Sequence, residues 1–234
     1  MKVAVLQSNY LPWRGYFDII HDVDTFVFYD DVQYTVNDWR NRNRIKSANG
    51  PVWITVPVGN QNDRRICDVE LRDEGWRRKH WRTIEQAYAR APHFPQISGF
   101  LGGMYARPWT SLSELNQTLV RTIASDCLGI RTEFRDSREF SIDGKKGDRL
   151  LRLLMELGAT EYVSGPAARD YLDLAGYRDA GISVVWKDYG SYPEYAQLHG
   201  PFLPNVSIVD LLANCGPSAP HYIWGYRQPG DSTP

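Results

Sequence analysis

Cysteine is scarce in this 234-residue chain, and the three present, Cys67, Cys127 and Cys215, are odd in number and far apart. Such usage offers neither a disulfide framework nor a CxxC pair for zinc, and it suits a reducing compartment. Long apolar runs are missing as well. None approaches the roughly 20 residues of a membrane span, and Met1-Lys2-Val3-Ala4-Val5-Leu6 meets polar Gln7 too soon for the apolar stretch of a signal peptide. The expected setting is the cytoplasm. Neither sign of charge is in excess: 27 basic and 28 acidic residues leave a net charge of −1, which argues against broad binding to nucleic acid or anionic lipid. GxSxG, Walker A and GxGxxG patterns are all absent. Their absence disfavours a serine hydrolase, a P-loop NTPase and a GxGxxG dinucleotide dehydrogenase.

What is present is an ordinary globular composition, 42% apolar and 24% charged, with an excess of aromatics at eight Trp and fourteen Tyr. A chain of this length fits one domain, and it should bury roughly 70% of its unfolded surface without staples. Aromatics in such number serve the core and also line small-molecule sites.

Short apolar or β-branched runs predict strands at Val3–Leu6, Thr25–Tyr29, Val52–Val58, Arg131–Arg135, Glu161–Ser164 and Ile182–Lys187. Pro57 places the third near a sheet edge. Helices are expected at Tyr16–His21, Glu74–Arg90, Ser111–Cys127, Lys146–Leu157, Ala167–Leu174 and Ser207–Asn214. The clearest is Ser111–Cys127, where Leu112, Leu115, Leu119 and Ile123 recur at helical spacing and Gly129 ends the run. Alternating strands and helices imply an α/β fold with a mostly parallel sheet flanked by helices. Residues 1–216 form the expected domain, about 60–128 a helical insertion, and 217–234 a loose Pro- and Gly-rich tail whose Tyr222, Ile223 and Trp224 can dock.

Ligands of open α/β sheets bind beyond the carboxyl ends of strands. Four polar segments fall there: Gln7–Gly15, Asp30–Lys46, Ser164–Asp170 and Lys187–Tyr195. The first joins a buried strand to a helix N-terminus, where free N–H groups favour phosphate or carboxylate; equally, its aromatics can plug the sheet's top. Asp30-Asp31 offers a base, a metal ligand or a ribose contact, or a solvated strand end. Arg40, Arg42, Arg44 and Lys46 are spaced by two, so an extended backbone projects all four to one side for anion capture. The alternative is a solvated basic loop. His80 shares a helix face with Trp76 and is either an acid–base group near neutrality or a packing residue. Gly165 allows close approach to a backbone that opens a helix.

The run Gln7-Ser8-Asn9-Tyr10-Leu11-Pro12-Trp13-Arg14-Gly15-Tyr16-Phe17 resembles the N-terminal signature of the WbqC-like family, roughly Q-P-x-Y-L-P-W-x-G-Y-F. The likeness continues through Tyr29–Tyr34, Trp39–Lys46, Thr55–Val58, Ala91–Phe94, Tyr162–Gly165, Asp188-Tyr189, Tyr195–Gln197 and Ser207–Leu212, with Ser8 standing where the family usually has Pro. The resemblance implies a place in bacterial surface-polysaccharide or natural-product pathways, with a glycine or other amino-acid transferase role proposed for some members. A weaker likeness, at the level of the fold, is to nucleotidylyl transferases and pantothenate synthetases; their HxGH histidines are missing between Gln7 and Gly15.

The expected activity is transfer or condensation of an amino-acid-derived group onto an amine or hydroxyl. Asp30, Asp31 or His80 would serve as catalytic base, and Gln7, Tyr10, Arg42, Asn43, Lys46, Ser164, Gly165, Asp188, Tyr189 and Gln197 would bind substrate. The substrate is expected to be a small amino-acid or sugar derivative, with a carrier protein as a further partner. Alternatives are a ligase or nucleotidylyl transferase using ATP with magnesium, and a non-catalytic module that binds carbohydrate or a carrier protein.

Overall fold

Strands that read as almost wholly apolar are those buried on both faces, and two such strands form the centre of a five-stranded parallel sheet whose edge strands are more polar. The computed structural model describes residues 1–72, 75–144, 146–170 and 172–227. Its strands are β1 (Lys2–Leu6), β2 (Thr25–Phe28), β3 (Arg42–Ser47), β4 (Gly50–Thr55), β5 (Glu133–Asp136), β6 (Glu161–Ser164) and β7 (Ser183–Trp186). The central sheet runs in the order β5-β2-β1-β6-β7 with every pairing parallel. Alternate residues supply two cores. Ala4, Phe26 and Phe28 share a core with α1 (Arg14–His21) and with Leu115 and Leu119 of the insertion. Val3, Val5 and Val27 pack against Leu153, Leu154 and Tyr177 on the opposite side.

From β1 the chain moves to one side of the sheet, through β2 to β5, and then returns to β6 on the other side of β1. Strand order therefore reverses between β1 and β6, the position at which a doubly wound sheet opens a crevice at its carboxyl edge. The loop after β1 and the turn after β6 flank that crevice.

Between β4 and β5 lie α2 (Trp76–Tyr88), α3 (Phe94–Ala106) and α4 (Leu112–Thr122), within the span read as an insertion. Glu74, where α2 was expected to begin, lies outside the described residues. Helix α3 is not expected from the sequence, in which Pro92 and Pro95 resemble a helix stop. Pro95 instead occupies the first turn of α3, where a missing N–H costs nothing. The strand expected at 52–58 is not part of the central sheet: β4 pairs antiparallel with β3 as a separate hairpin. The helix expected at 167–174 is a single 3-10 turn, Pro166–Ala168. After α5 (Lys146–Glu156), α6 starts later, at Leu174–Asp179, because Asp173 caps it by accepting from the Ala175 N–H at 3.2 Å.

Ser207 caps α7 (Ile208–Cys215), as its position before an apolar run predicts. The expected tail is not loose over its described part, 217–227. Ile223 is fully buried, Trp224 stacks on His21 with ring centroids 4.0 Å apart, and the Arg227 guanidinium pairs with Asp18 and Asp22. Lys187 bonds to the same two carboxylates, lying 2.9 Å from Asp18. Residues 228–234 lie outside the described residues.

Candidate functional site

The loop after β1 is held open by the hairpin. Asn43, buried on β3, donates from Nδ2 to the carbonyls of Tyr10 at 3.2 Å and Leu11 at 2.8 Å. Leu11 sits at φ +43°, a left-handed conformation that a branched side chain adopts only where its surroundings impose it. The Tyr10 N–H donates to the Trp39 carbonyl at 2.9 Å, and the Ile208 N–H to Pro12 at 2.9 Å, so the loop is fixed at three points. Beyond it, the Trp13 ring lies over Gly15, where a Cβ would stand 2.3 Å from ring carbon. Gly15→Ala is expected to displace Trp13 and to cost about 1–3 kcal/mol by overpacking. A melting temperature and a Trp13 fluorescence spectrum both equal to wild type would contradict this.

Loop, hairpin and the residues before α7 enclose a cavity of about 280 Å³ lined by Asn9, Pro12, Trp13, Trp39, Asn43, Arg44 and Asn205. Two polar atoms in its wall are buried and unpartnered among the described residues: Oδ1 of Asn9 and Nε of Arg44. Buried polar atoms in native proteins are nearly always satisfied. These two have no partner and are closed to water as the side chains stand, so a group in the adjoining cavity reaches them through a shift of the side chains that cover them. The terminal Nη2 of Arg44 donates to the Asn205 carbonyl at 3.1 Å. The alternation of β3 puts Arg42 and Arg44 on one side, as their spacing predicts, and both lie over the Trp53 ring, at 4.6 and 5.5 Å. A larger depression of about 590 Å³ between α2 and α3 is lined by Arg77, Arg78, Trp81 and Tyr105. It lies away from the strand ends, and Arg77 is engaged with the last carbonyls of α3, including those of Ala106 at 3.1 Å and Arg107 at 2.7 Å.

The three expected bases fare differently. Asp30 is fully buried and accepts from the Ser8 N–H (2.8 Å), Ser113 Oγ (2.5 Å) and Gln117 Nε2 (3.1 Å). Burial raises its carboxyl above the usual range against the pull of these donors. Asp31 lies toward β5 and α5 and does not line the cavity; it is held by Arg149 and accepts from Ser137 Oγ at 2.6 Å.

His80 is packed into the α2 side of the core. Its Nδ1 meets the Tyr10 hydroxyl at 2.9 Å, the Thr55 carbonyl takes the imidazole's other hydrogen bond, and Tyr10 also bonds Tyr105. Burial pushes the imidazole down to about 4, reinforced by Lys79 and opposed by the Thr55 carbonyl. The unfolded chain therefore binds the proton first, and this contribution to stability is lost as pH falls from about 6.5 through 4. Relative to His80→Asn, the wild type is expected to lose on the order of 2 kcal/mol between pH 7 and 5, read from urea melts. Parallel pH profiles would contradict that placement.

The expected substrate-binding residues divide in the same way. Tyr10 is fully buried and faces His80 instead of solvent. Lys46 does not reach a ligand position: its ammonium donates to Gln197 Oε1 at 2.6 Å and to the Pro201 carbonyl at 2.5 Å. Gln197 in turn donates to buried Asp210, which also accepts from Tyr88 and Tyr195. Asp188 is exposed and accepts from the Gly190 N–H as a turn former. Ser164 bonds only weakly to Tyr162, at 3.3 Å. Gly165 faces the Tyr189 hydroxyl, 3.7 Å from where its Cβ would be, and the Tyr189 ring meets Trp13 at 5.3 Å. Gln7 lies on this side, its carbonyl accepting from Tyr16. The rim thus brings the first loop against both the hairpin and the β6–β7 ends, while Tyr10, Asp30, Lys46 and His80 lie behind it as buried structure. Among the described residues no cluster of three or more His, Cys, Asp or Glu side chains has the arrangement of a metal site.

The family model described as "WbqC-like protein family" matches residues 7–222, which includes every wall of this cavity. The chain belongs to the WbqC-like family. It is also 46% identical over 230 residues to the uncharacterized protein Rv1507c of Mycobacterium tuberculosis (strain ATCC 25618 / H37Rv), spanning 97% of this chain and 99% of that one. No solved structure matches. For this WbqC-like protein, sequence reasoning missed Ser113, Asn116 and Gln117, three buried polar residues on α4 that hold Ser8, Asp30 and the Arg40 carbonyl. Their spacing places them on one helical face among the leucines, a signal that was legible. Asn205 and Trp53 were also missed, and neither carried a signal.

Proposed function

We propose that this WbqC-like protein is an enzyme of the transferase type, moving an amino-acid-derived group onto an amine or hydroxyl in surface-polysaccharide or natural-product assembly. The supporting observation is the unmatched pair in the small cavity, an amide oxygen on Asn9 and a guanidinium N–H on Arg44. A free α-amino acid carries the complementary pair, an ammonium for the oxygen and a carboxylate for the guanidinium. Asn43 and Trp13 act as positioning residues, the first by fixing the loop and the second by walling the cavity. Of the three bases considered, Asp30 and His80 are sealed from solvent with their hydrogen bonds filled, and Asp31 is ion-paired with Arg149 and bonded to Ser137 Oγ, so none of them is assigned as the base.

The test is a titration of the purified protein with the proteinogenic amino acids, followed by incubation of any binder with amine- and hydroxyl-bearing sugars and ATP with magnesium under mass spectrometry, the ATP phosphoanhydride taking up the carboxylate oxygen that leaves as the amide or ester forms. Saturable binding that is lost in Arg44→Ala, together with an amide or ester product, is the expected result. Equal affinity for wild type and Arg44→Ala would remove the cavity from the reading.

A further inference from the structure

The mouth of the cavity carries a feature that amino-acid binding does not use. Trp39 and Trp53 are the two exposed tryptophans, at 42% and 47%, and they lie side by side with ring centroids 5.7 Å apart and planes tilted by 31°. Arg42 lies over Trp53 and makes no hydrogen bond or ion pair to a described residue, while the Arg44 guanidinium bonds only the Asn205 carbonyl. The nearby Asp38 carboxylate is engaged with Arg40 at 2.9 Å. Two guanidinium groups without a carboxylate partner therefore stand beside a flat aromatic pair, in a chain whose net charge is −1.

We infer that this shelf binds a nucleoside diphosphate group, with the base stacked on Trp39 and the diphosphate bridging Arg42 and Arg44. Aromatic faces accept any base, and guanidinium forks match phosphate oxygens, so the two features together select a ligand with both parts. Trp39 also lines the cavity, so a base stacked there directs the group carried on its diphosphate toward Asn9 and Trp13. The inference extends the function proposed above by naming the carrier of the second substrate, and it rests on that reading only for the shared location. The same chemistry has two sources, a nucleotide-linked sugar or an adenine nucleotide.

Isothermal titration of the full chain with UDP, UDP-glucose, ADP, ATP with magnesium, and inorganic pyrophosphate tests it. Nucleoside diphosphates are expected to bind with quenching of tryptophan fluorescence, and more tightly than pyrophosphate. Trp39→Ala should weaken the nucleotides at least tenfold and leave pyrophosphate within twofold. Arg42→Ala should weaken all of them, and Trp39→Phe should retain most of the affinity. Both tryptophans are exposed, so unchanged melting temperatures are expected and would show that the fold is intact. Preference for UDP-glucose over the adenine nucleotides assigns the shelf to an activated sugar, and the reverse assigns it to ATP. No nucleotide binding at millimolar concentration overturns the inference, as does affinity indifferent to Trp39→Ala. Association of the hairpin with anionic vesicles in place of nucleotides also overturns it. An amino acid that binds through Arg44 while nucleotides do not leaves the proposed function standing and removes only the shelf; nucleotide binding without amino-acid binding does the opposite.

Discussion

Asp30→Ala is expected to leave a chain that barely folds. The carboxylate accepts a backbone N–H from Ser8 and side-chain hydrogens from Ser113 and Gln117 inside a dry site. Alanine strands all three donors, each at about 1–3 kcal/mol, and removing one partner from such a buried charged network costs roughly 3–5 kcal/mol in total. That is a large share of the 5–15 kcal/mol typical of a folded domain. Gln117 also donates to Asp136 at 2.7 Å, so the damage should reach the end of β5. Urea melts of wild type, Asp30→Ala and Asp30→Asn measure the effect. A stable Asp30→Ala protein that has lost only activity would instead make Asp30 a catalytic group.

Arg44→Ala is expected to do the reverse. In the free protein the side chain gives up one hydrogen bond to the Asn205 carbonyl and a stacking contact with Trp53, so stability should change by no more than about 1 kcal/mol. A guanidinium paired with a substrate carboxylate in a partly buried cavity is worth about 2–4 kcal/mol, so binding should fall by roughly a hundredfold. Arg44→Lys keeps the charge and loses the fork, and it should fall between the two. Comparison of melting temperature with amino-acid affinity across the three proteins separates the effects. Parallel losses in both would place Arg44 with the structural residues.

The contrast between these two residues marks what was legible in the sequence. Apolar runs marked β1 and β2 because burial on both faces leaves no room for polar alternation, whereas β5, Glu133-Phe134-Arg135-Asp136, stands at the sheet edge and keeps three charged residues. The two-residue spacing of Arg42 and Arg44 gave their common side once the backbone was extended. Tyr10, Asp30, Lys46 and His80 looked equally functional, since each is polar and lies close to a strand end or an aromatic helix. Their partners decide otherwise, and those partners are remote: Ser113 lies 83 positions beyond Asp30, and Gln197 lies 151 beyond Lys46. A buried polar group whose partner comes from a distant helix is indistinguishable, along the chain, from one waiting for a substrate. The open atoms of Asn9 and Arg44 could be recognised only after every nearby donor and acceptor had been matched.

A crystal structure of the protein grown with its amino-acid ligand is the most direct measurement. Density between Asn9 and Arg44, walled by Trp13 and Trp39, is the predicted result. Ligand seated in the α2–α3 depression beside Arg78 and Trp81, with the smaller cavity filled only by solvent, would contradict the account.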